Sequence, residues 1–322
     1  ASMHACGVVI TKDPVTEYTP LQRVSGSREG VVTQYAASTK SNAVEKIGLL
    51  KMDFLGLKNL TIIQNTLRIV KALKKMPELC EKLGIDPSNT AVSAILDHLP
   101  LDDAASYKLL QEAHTTGVFQ LESSGMKRYL KQLKPTVFED ILAMVALYRP
   151  GPMDAIPDFI ESKHGRKKVT YLHPLLEPIL QNTYGVIVTQ DQVLEIARKF
   201  AGFSYAEADI LRKAVGKKIK ELLDEQREKF ISGAVRNPDI TRKQAEEVWD
   251  FIEPFARYGF NRAHAACYAL IGYQTAYLKA HYPTEFMAAL LTSDQDNIDR
   301  IAIEVTEARE MGLEVMPPSV NE

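Results

Sequence analysis

Two oppositely charged residues, Lys51 and Asp53, lie at the end of the apolar run 48–54. Side chains of a strand alternate between its two faces, so this spacing places the ammonium and the carboxylate on one face. Such a carboxylate suits a hard divalent cation, and the lysine would meet an anionic group held by the same ion. One carboxylate rarely holds Mg²⁺ alone, and an exposed ion pair without chemical function is the alternative interpretation.

A second candidate site is the basic cluster within 209–220. On a helix, Lys213, Lys217 and Lys220 are spaced at four and three residues with Arg212 beside them, so several cations project toward one side. We expect Gly216 to break or bend that helix. Arginine offers a planar fork and lysine a mobile point charge, so the cluster suits a polyphosphate. A solvated amphipathic face is the alternative, because runs of charge are usually exposed.

Aromatic and basic residues alternate in the third candidate, the segment 255–264, just before a predicted helix that ends near Pro283. Helix N-termini attract phosphate and aromatic rings stack on bases, so nucleotide or template contact is physically reasonable. A turn with Tyr258 and Phe260 packed inward is the alternative. His264 is the one histidine of the seven in a basic and aromatic context.

Two further basic patches suit a phosphate backbone. They contain Lys127 with Arg128, and Lys163 with Arg166. Ordinary solvated helix faces are the alternative interpretation of both patches.

Composition limits the class of protein. The chain has 322 residues, of which 45% are hydrophobic and 25% are charged, with a formal net charge of −2. These values predict a globular protein, and they make nucleic-acid binding depend on local basic clusters. Three widely spaced cysteines and the lack of a long apolar run predict a reducing, cytosolic setting without a disulfide framework or membrane span. The sequence lacks GxxxxGK[ST], GxGxxG, HExxH and GxSxG, which argues against P-loop, dinucleotide-binding, zinc-protease and hydrolase-elbow chemistry.

The elements that position these residues change character along the chain. Residues 1–58 contain short β-branched or apolar runs, and helical periodicity dominates from Leu60 onward. The exception is 184–190, which we predict as a strand. We therefore predict an α+β fold, mostly α, with a small β-containing part at 1–58 and a large helical domain at 59–322.

Three sequence signatures predict where helices begin. Each combines a hydroxyl side chain with a glutamate or glutamine three residues later, the capping-box pattern. The signatures are Thr136 with Glu139, Ser204 with Glu207, and Thr241 with Gln244.

Longer strings in collinear order carry a specific resemblance. They are HACGVVI at 4–10, VTQY at 32–35, LLKMDFLGL at 49–57, TGVFQLES at 116–123, LYRPGP at 147–152, YGVI at 184–187, RKAVGKK at 212–218 and YGFNRAH at 258–264. Together they resemble the alpha subunit of bacterial DNA polymerase III, a family C replicative polymerase, over essentially the whole chain. The resemblance implies the C-terminal part of a palm domain at 1–58 and a fingers domain at 59–322.

The resemblance implies a DNA-directed DNA polymerase that acts in chromosomal replication by two-metal nucleotidyl transfer with Mg²⁺. Asp53 would be the third metal-binding aspartate, and Lys51 would approach the triphosphate. The family's other two catalytic aspartates form an Asp-x-Asp motif upstream, and no such motif precedes Asp53. We therefore expect this chain alone to be inactive.

The same resemblance extends to binding residues. Nucleotide contacts are expected from Arg212, Lys213, Lys217, Tyr258, Phe260, Asn261 and His264, and a DNA contact from Arg149. The basic patches themselves, and not the resemblance, predict DNA contacts from Lys127, Arg128, Lys163 and Arg166. Several family members carry two arginines where this chain has Arg212 and Lys213, so one bidentate fork is lost.

The implied partners are template-primer DNA, deoxynucleoside triphosphates, and a sliding clamp and other replicase subunits bound through regions outside this chain. The implied location is the bacterial cytoplasm, at replication forks. A non-catalytic helical nucleic-acid-binding module is the alternative function, and in such a module Lys51 and Asp53 would be dispensable.

Overall fold

The structure, a computed structural model, describes residues 6–24, 30–35, 43–88, 90–217, 220–258 and 260–317. The chain divides into two compact units, residues 1–58 and 59–322. Helices dominate the described residues, and the only sheets there are two small antiparallel pairs. The α+β, mostly helical fold predicted from the sequence is confirmed.

The first unit contains short strands and one short helix. They are β1 (Gly7–Ile10), β2 (Leu21–Arg23), β3 (Val31–Thr33), α1 (Ala43–Lys46) and β4 (Leu50–Asp53). Strand β1 pairs antiparallel with β4, and β2 pairs antiparallel with β3. In the β1–β4 register Gly7 lies opposite Asp53, so the backbone of the candidate aspartate is fixed by strand pairing.

The second unit is helical. Its elements are α2 (Lys58–Ala72), α3 (Met76–Leu83), α4 (Val92–Asp97), α5 (Ala104–Glu112), α6 (Ser124–Leu133), α7 (Phe138–Leu147), α8 (Ile156–Lys163), α9 (Glu177–Leu180), α10 (Gln190–Ala201), α11 (Tyr205–Lys217), α12 (Lys220–Ala234), α13 (Arg242–Tyr258), α14 (Arg262–His281), α15 (Pro283–Ser293) and α16 (Ile298–Glu310). Among the described residues, none of these helices combines the length and apolar character that crossing a membrane requires.

Three hydrophobic clusters hold the second unit together. One surrounds the first half of α14 and includes α5, α6, α7 and α8. Another joins α10, α11, α12 and α13 around Phe230 and Trp249. The third packs α2, α3, α4 and α15 against the second half of α14. Helix α14 thus contributes to two cores, which explains why its 272–279 stretch is buried all round.

Two of the three predicted capping boxes are confirmed, and the third is displaced by one residue. Glu207 accepts from the N–H of Ser204, and Gln244 accepts from the N–H of Thr241. At α7, however, Asp140 and not Glu139 accepts from the backbone N–H of Thr136, at 2.8 Å. Asp140 also forms a buried ion pair with a lysine of α8, and this tertiary contact selects it over its neighbour.

The strand predicted at 184–190 is wrong. Within it, Thr189 forms a single parallel bridge with Phe260, and α10 already begins at Gln190. The side-chain oxygen of Gln192 accepts from the N–H groups of Val188 and Thr189, at 2.8 and 3.1 Å. These amides serve a helix start instead of a neighbouring strand.

Gly216 lies inside α11, which ends at the next residue, Lys217, so the helix is not broken at the glycine itself. The bend expected at Gly216 stays a prediction. Residues 218–219 lie outside the described part of the chain, and α12 follows from Lys220.

A buried charge network ties α14 to α16 and α6. The Lys279 ammonium is fully buried and pairs with Glu307. Glu307 also binds the Lys127 ammonium at 2.5 Å and the N–H and hydroxyl of Thr116. Burial raises the pKa of Glu307, but the Lys279 charge and these hydrogen bonds more than offset it and lower the pKa to about 2. Burial lowers the pKa of Lys279 to about 8, so the pair is ionised at neutral pH.

We predict that Glu307→Gln lowers the free energy of unfolding by about 3–5 kcal/mol, because it leaves the buried Lys279 ammonium without a compensating charge. Denaturant unfolding at pH 7, followed by circular dichroism, measures the change. Glu310→Gln, an exposed change on the same helix, is the matched control and leaves stability nearly unchanged. Equal small losses for both variants would contradict the assignment.

The same network predicts a pH dependence. The folded-state pKa of Glu307 lies below the unfolded value of 4.5, so its contribution is fully present above pH 4.5 and is lost as the pH falls toward 2.

Candidate functional site

Lys51 and Asp53 share one face of β4, as the alternation predicted. The Lys51 ammonium lies 3.1 Å from one carboxylate oxygen of Asp53 and 3.2 Å from the other. The lysine side chain is 14% exposed and the aspartate side chain 49% exposed. The carboxylate is thus held by its neighbour while remaining partly accessible to solvent.

Asp53 alone does not make a metal site. Among the described residues, no group of three or more histidine, cysteine, aspartate and glutamate side chains is arranged to hold a metal ion. A hard cation such as Mg²⁺ normally takes one or two carboxylates and completes its shell with water and substrate phosphates. A Mg²⁺ ion at this position would therefore take Asp53 as only one of several ligands.

The basic cluster on α11 is organised around a carboxylate. Asp209 accepts from two nitrogens of the Arg212 guanidinium, at 2.9 and 2.8 Å, and pairs with the Lys213 ammonium at 2.8 Å. The hydrogen bonds from Lys213 and Arg212 lower the pKa of Asp209. Both cations stay exposed, at 42% for Arg212 and 58% for Lys213, so a soluble anion can reach them. The Lys217 side chain lies outside the described residues.

Local contacts fix the start of α11. Ser204 caps the helix, and its hydroxyl and N–H both donate to Glu207. Glu207 also pairs with Lys229 of α12 at 2.9 Å. The hydrogen bonds from Ser204 and Lys229 lower the pKa of Glu207 to about 2. The helix that carries Arg212 is therefore anchored at its first turn.

The segment that leads into α14 is anchored at several points. Its Phe260 carbonyl accepts from the N–H of Gln190, at 3.0 Å. Asn261 caps α14, because its side chain accepts from the N–H of His264 at 2.9 Å. The Asp191 carboxylate accepts from the N–H of Arg262, also at 2.9 Å. These groups already satisfy amides at the helix start, and the Asp191 charge disfavours a phosphate there.

His264 is an accessible aromatic side chain of this segment, next to the exposed Asn261 and Arg262. The His264 side chain is exposed and meets the Phe260 ring at 5.0 Å between centroids. Phe260 is partly buried against the core around α14, which agrees in part with the inward-packed alternative. The side chain of Tyr258 and all of Gly259 lie outside the described residues.

Helix α10 contacts both the segment that leads into α14 and the helix α11 that carries the basic cluster. Gln190 at its N-terminus binds the backbone of Phe260. Farther along, Phe200 of α10 packs in the same hydrophobic cluster as Leu211 of α11, the neighbour of Arg212. One helix thus positions the aromatic segment at one end and the basic cluster along its side.

Arg149 lies against an aromatic ring. Its guanidinium carbon is 3.7 Å from the centroid of the Phe260 ring. Burial lowers the pKa of Arg149. The sequence motif around Arg149 had given no indication of this contact.

The lysines of the two basic patches are committed to intramolecular ion pairs. Lys127 belongs to the Glu307 network. Lys163 is nearly buried and pairs with Asp140, and it also donates to Thr136 at 2.9 Å. These contacts favour a structural role for both lysines over DNA contact.

The two arginines of these patches are accessible. Arg166 forms an exposed two-point pair with Glu161, at 2.8 and 2.7 Å. Arg128 is exposed beside Tyr129.

Residues missed from the sequence are mainly the acidic partners. Asp209 stands three and four residues before Arg212 and Lys213, a helical spacing that predicts the pairing once the helix is assumed. Tyr268, whose ring lies 4.1 Å from that of His264, follows it by four residues and carries the same kind of signal. Asp191 has no comparable signal, because its contact with Arg262 joins distant parts of the sequence.

We predict that Lys163→Met lowers the free energy of unfolding by about 3–5 kcal/mol, since it strands the buried Asp140 carboxylate. Arg166→Met is the control, and it has little effect because its ion pair is exposed. Chemical denaturation of both variants measures the difference. Weaker DNA binding by Lys163→Met without a loss of stability would instead favour the DNA contact.

Comparison with known proteins agrees with the sequence motifs. Residues 59–238 match the bacterial DNA polymerase III alpha subunit finger domain, and residues 1–56 match the bacterial DNA polymerase III alpha NTPase domain. The DNA polymerase III subunit alpha of Bacillus subtilis (strain 168) is 49% identical over 322 residues, which is 100% of this chain and 27% of that protein.

Two further relatives carry the same name. That of Halalkalibacterium halodurans is 47% identical over 320 residues, 99% of this chain and 27% of the relative. That of Thermus aquaticus is 46% identical over 326 residues, 100% of this chain and 25% of the relative. The chain thus spans about a quarter of the length of these proteins. With a family match over more than half of its residues, the chain belongs to the bacterial DNA polymerase III alpha subunit family.

Proposed function

We propose that this chain is part of a DNA-directed DNA polymerase that binds an incoming deoxynucleoside triphosphate and template-primer DNA for two-metal nucleotidyl transfer in chromosomal replication. The relatives that are 49% and 46% identical to the chain are named DNA polymerase III subunit alpha. The observation that carries the catalytic part is the Lys51–Asp53 pair on one face of β4. Within the polymerase we assign residues 1–58 to the palm and 59–322 to the fingers.

Asp53 contributes one metal-binding carboxylate in this proposal. Bound Mg²⁺ supplies charge neutralisation and activation of the primer hydroxyl in such a reaction. Lys51 orients the Asp53 carboxylate and offers positive charge to the triphosphate. Because the other two catalytic aspartates belong to an upstream motif, these residues alone are expected to show no appreciable polymerisation.

Arg212 and Lys213 bind the triphosphate of the nucleotide by exchanging their Asp209 contacts for phosphate oxygens. Arg212 is the stronger candidate, because its planar fork makes two parallel hydrogen bonds to phosphate. Lys217 extends the same helix face and stays a prediction.

The aromatic segment forms another part of the nucleotide pocket. The rings of Phe260 and His264 suit stacking contacts with a base or sugar. Asn261 acts through the backbone, since its side chain holds the start of α14. Tyr258 stays a predicted contact.

DNA contact is proposed for the exposed arginines Arg128 and Arg166, whose charge can reach a phosphate backbone. A sliding clamp and the other replicase subunits would bind through parts of the polymerase outside this chain, in the bacterial cytoplasm.

We predict that Asp53→Asn in the intact polymerase lowers kcat by at least about a hundredfold while template-primer affinity stays unchanged, because a metal-binding charge is lost. Single-nucleotide incorporation measures kcat, and fluorescence anisotropy measures DNA binding. Asp13→Asn, the same chemical change elsewhere in the first unit, is the control and leaves kcat unchanged. Full activity of Asp53→Asn would favour the non-catalytic nucleic-acid-binding module.

We predict that Arg212→Ala raises the nucleotide KM by about 10- to 100-fold or lowers kcat to a similar extent, the range expected for a lost charge-assisted hydrogen bond. Lys168→Ala removes an exposed charge outside the cluster and changes neither constant more than about twofold. Steady-state incorporation by the intact polymerase measures both variants. Equal small effects would count against the triphosphate site.

A further inference from the structure

A row of contacting aromatic rings leads from Phe260 into the first half of α14. His264 and Tyr268 are four residues apart and share one face of α14, and Phe260, which precedes the helix cap Asn261, contacts His264. The Phe260 and His264 centroids are 5.0 Å apart, and those of His264 and Tyr268 are 4.1 Å apart. We call these three rings, together with Phe119 at one end and Arg149 at the other, the aromatic column.

The two ends of the column differ. At the inner end, the Tyr268 ring lies 5.1 Å from that of Phe119, which is buried and whose N–H donates to Thr275 of α14. At the outer end, the Arg149 guanidinium covers the Phe260 ring at 3.7 Å. The column is therefore anchored in the core at one end and closed by a cation at the other.

The backbone places Arg149 for this contact. Its N–H donates to the carbonyl of Leu147 at 2.7 Å, and its carbonyl accepts from Met153 at 3.2 Å. Pro150 follows directly, and Gly151 has a φ of 103°, a conformation that favours glycine. A rigid turn thus carries the arginine to the ring.

The contact itself fits stacking better than phosphate binding. The Arg149 side chain is partly buried. Among the described residues its guanidinium makes one hydrogen bond, to the carbonyl of Val145, and this bond is long at 3.5 Å. A desolvated guanidinium is stabilised by the face of an aromatic ring, and a planar cation does this better than an ammonium.

Phe260 has little freedom left except rotation of its ring. Its carbonyl is bound by Gln190, and the next residue, Asn261, caps α14. Arg149 covers one face of the ring, and His264 contacts it in an edge-on arrangement with an interplanar angle of 72°. The guanidinium and the imidazole together therefore decide how the ring is presented.

We propose that Arg149 is a positioning residue that acts through Phe260: by stacking on this ring it orients the aromatic surface that receives the nucleotide. The proposal rests on the proposed function, since it takes the segment at the start of α14 as part of the nucleotide pocket. It replaces the direct DNA contact expected for Arg149 from the sequence.

A double-mutant cycle in the intact polymerase tests the proposal. Arg149→Lys keeps the charge but loses the planar stack, and Phe260→Leu removes the ring. Each single variant raises the nucleotide KM by about tenfold with kcat little changed, as expected for a cation–ring contact of this closeness. The double variant shows no further increase, because the arginine acts only through the ring.

Controls separate stacking from the alternatives. Arg198→Lys alters an arginine that lies 3.4 Å from the Tyr205 ring and is not among the proposed nucleotide or DNA contacts, and it leaves the nucleotide KM unchanged. The salt dependence of DNA binding is measured for every variant and is unchanged by Arg149→Lys. If Arg149→Lys impairs folding, Arg149→Met is used, which removes the charge and keeps most of the stem; it raises the KM to the same extent.

The outcomes test the positioning role of Arg149 separately from the assignment of the segment to the nucleotide pocket. Additive effects, or a loss of about one unit of salt slope in Arg149→Met, would identify a phosphate contact and overturn the positioning role. A normal KM in Arg149→Lys with a raised KM in Phe260→Leu would overturn the positioning role alone. A normal KM in Phe260→Leu would remove the segment from the nucleotide pocket, and both proposals would fall.

Discussion

The second unit depends on the burial of a charge. The Lys279 ammonium has no contact with solvent, and a charge in that position is tolerated only when it is paired and hydrogen-bonded. Glu307 supplies the pair, and the carbonyl of Thr116 accepts a further hydrogen bond at 2.7 Å. These contacts lock the second half of α14 to α16 and to the segment that ends in Phe119. The first half of α14 therefore extends from a second half that is held in place by these contacts.

Close packing carries this constraint to the candidate pocket. A Cβ atom added to Gly272 would lie 2.9 Å from the Phe119 carbonyl oxygen, so only glycine allows α14 to approach this segment so closely. The same approach brings the Phe119 ring to Tyr268, the inner end of the aromatic column. The Lys279–Glu307 ion pair and the close contact at Gly272 thus help to fix the position of the aromatic column, although neither is part of the proposed pocket.

Charge compensation governs the candidate binding groups in the described part of the chain. Arg212 and Lys213 share Asp209, Lys51 faces Asp53, and the start of α14 faces Asp191. A polyanion that binds at Arg212 must therefore replace a carboxylate already held at hydrogen-bond distance. Exchange of this kind weakens binding of simple anions and favours ligands with several phosphate oxygens, since these can compensate both cations together. The near-zero net charge is consistent with binding by local exchange and not by a global field.

Local sequence patterns predicted local structure well, and the errors arise where distant residues intervene. The period of two placed Lys51 beside Asp53, and the capping boxes at Ser204 and Thr241 are correct because all their atoms lie within one helical turn. The box at Thr136 shifted by one residue because Lys163, far along the chain, pairs with Asp140. Periodicity shows that a lysine is charged and where it faces, but not that a carboxylate elsewhere will cover it.

At the candidate site, the contact of Arg149 is another that local sequence patterns do not predict. The motif LYRPGP contains the position, but no local pattern identifies the ring that it covers. That ring is brought to it by Gln190, which binds the Phe260 backbone from the start of α10, and by α14, which aligns His264 beneath it. Because α10 also packs against α11, the ring and the basic cluster are referenced to one helix. Their mutual geometry therefore depends on how α10 packs against α11 and the start of α14, so the aromatic and the phosphate-binding contacts of the proposed pocket share one supporting helix.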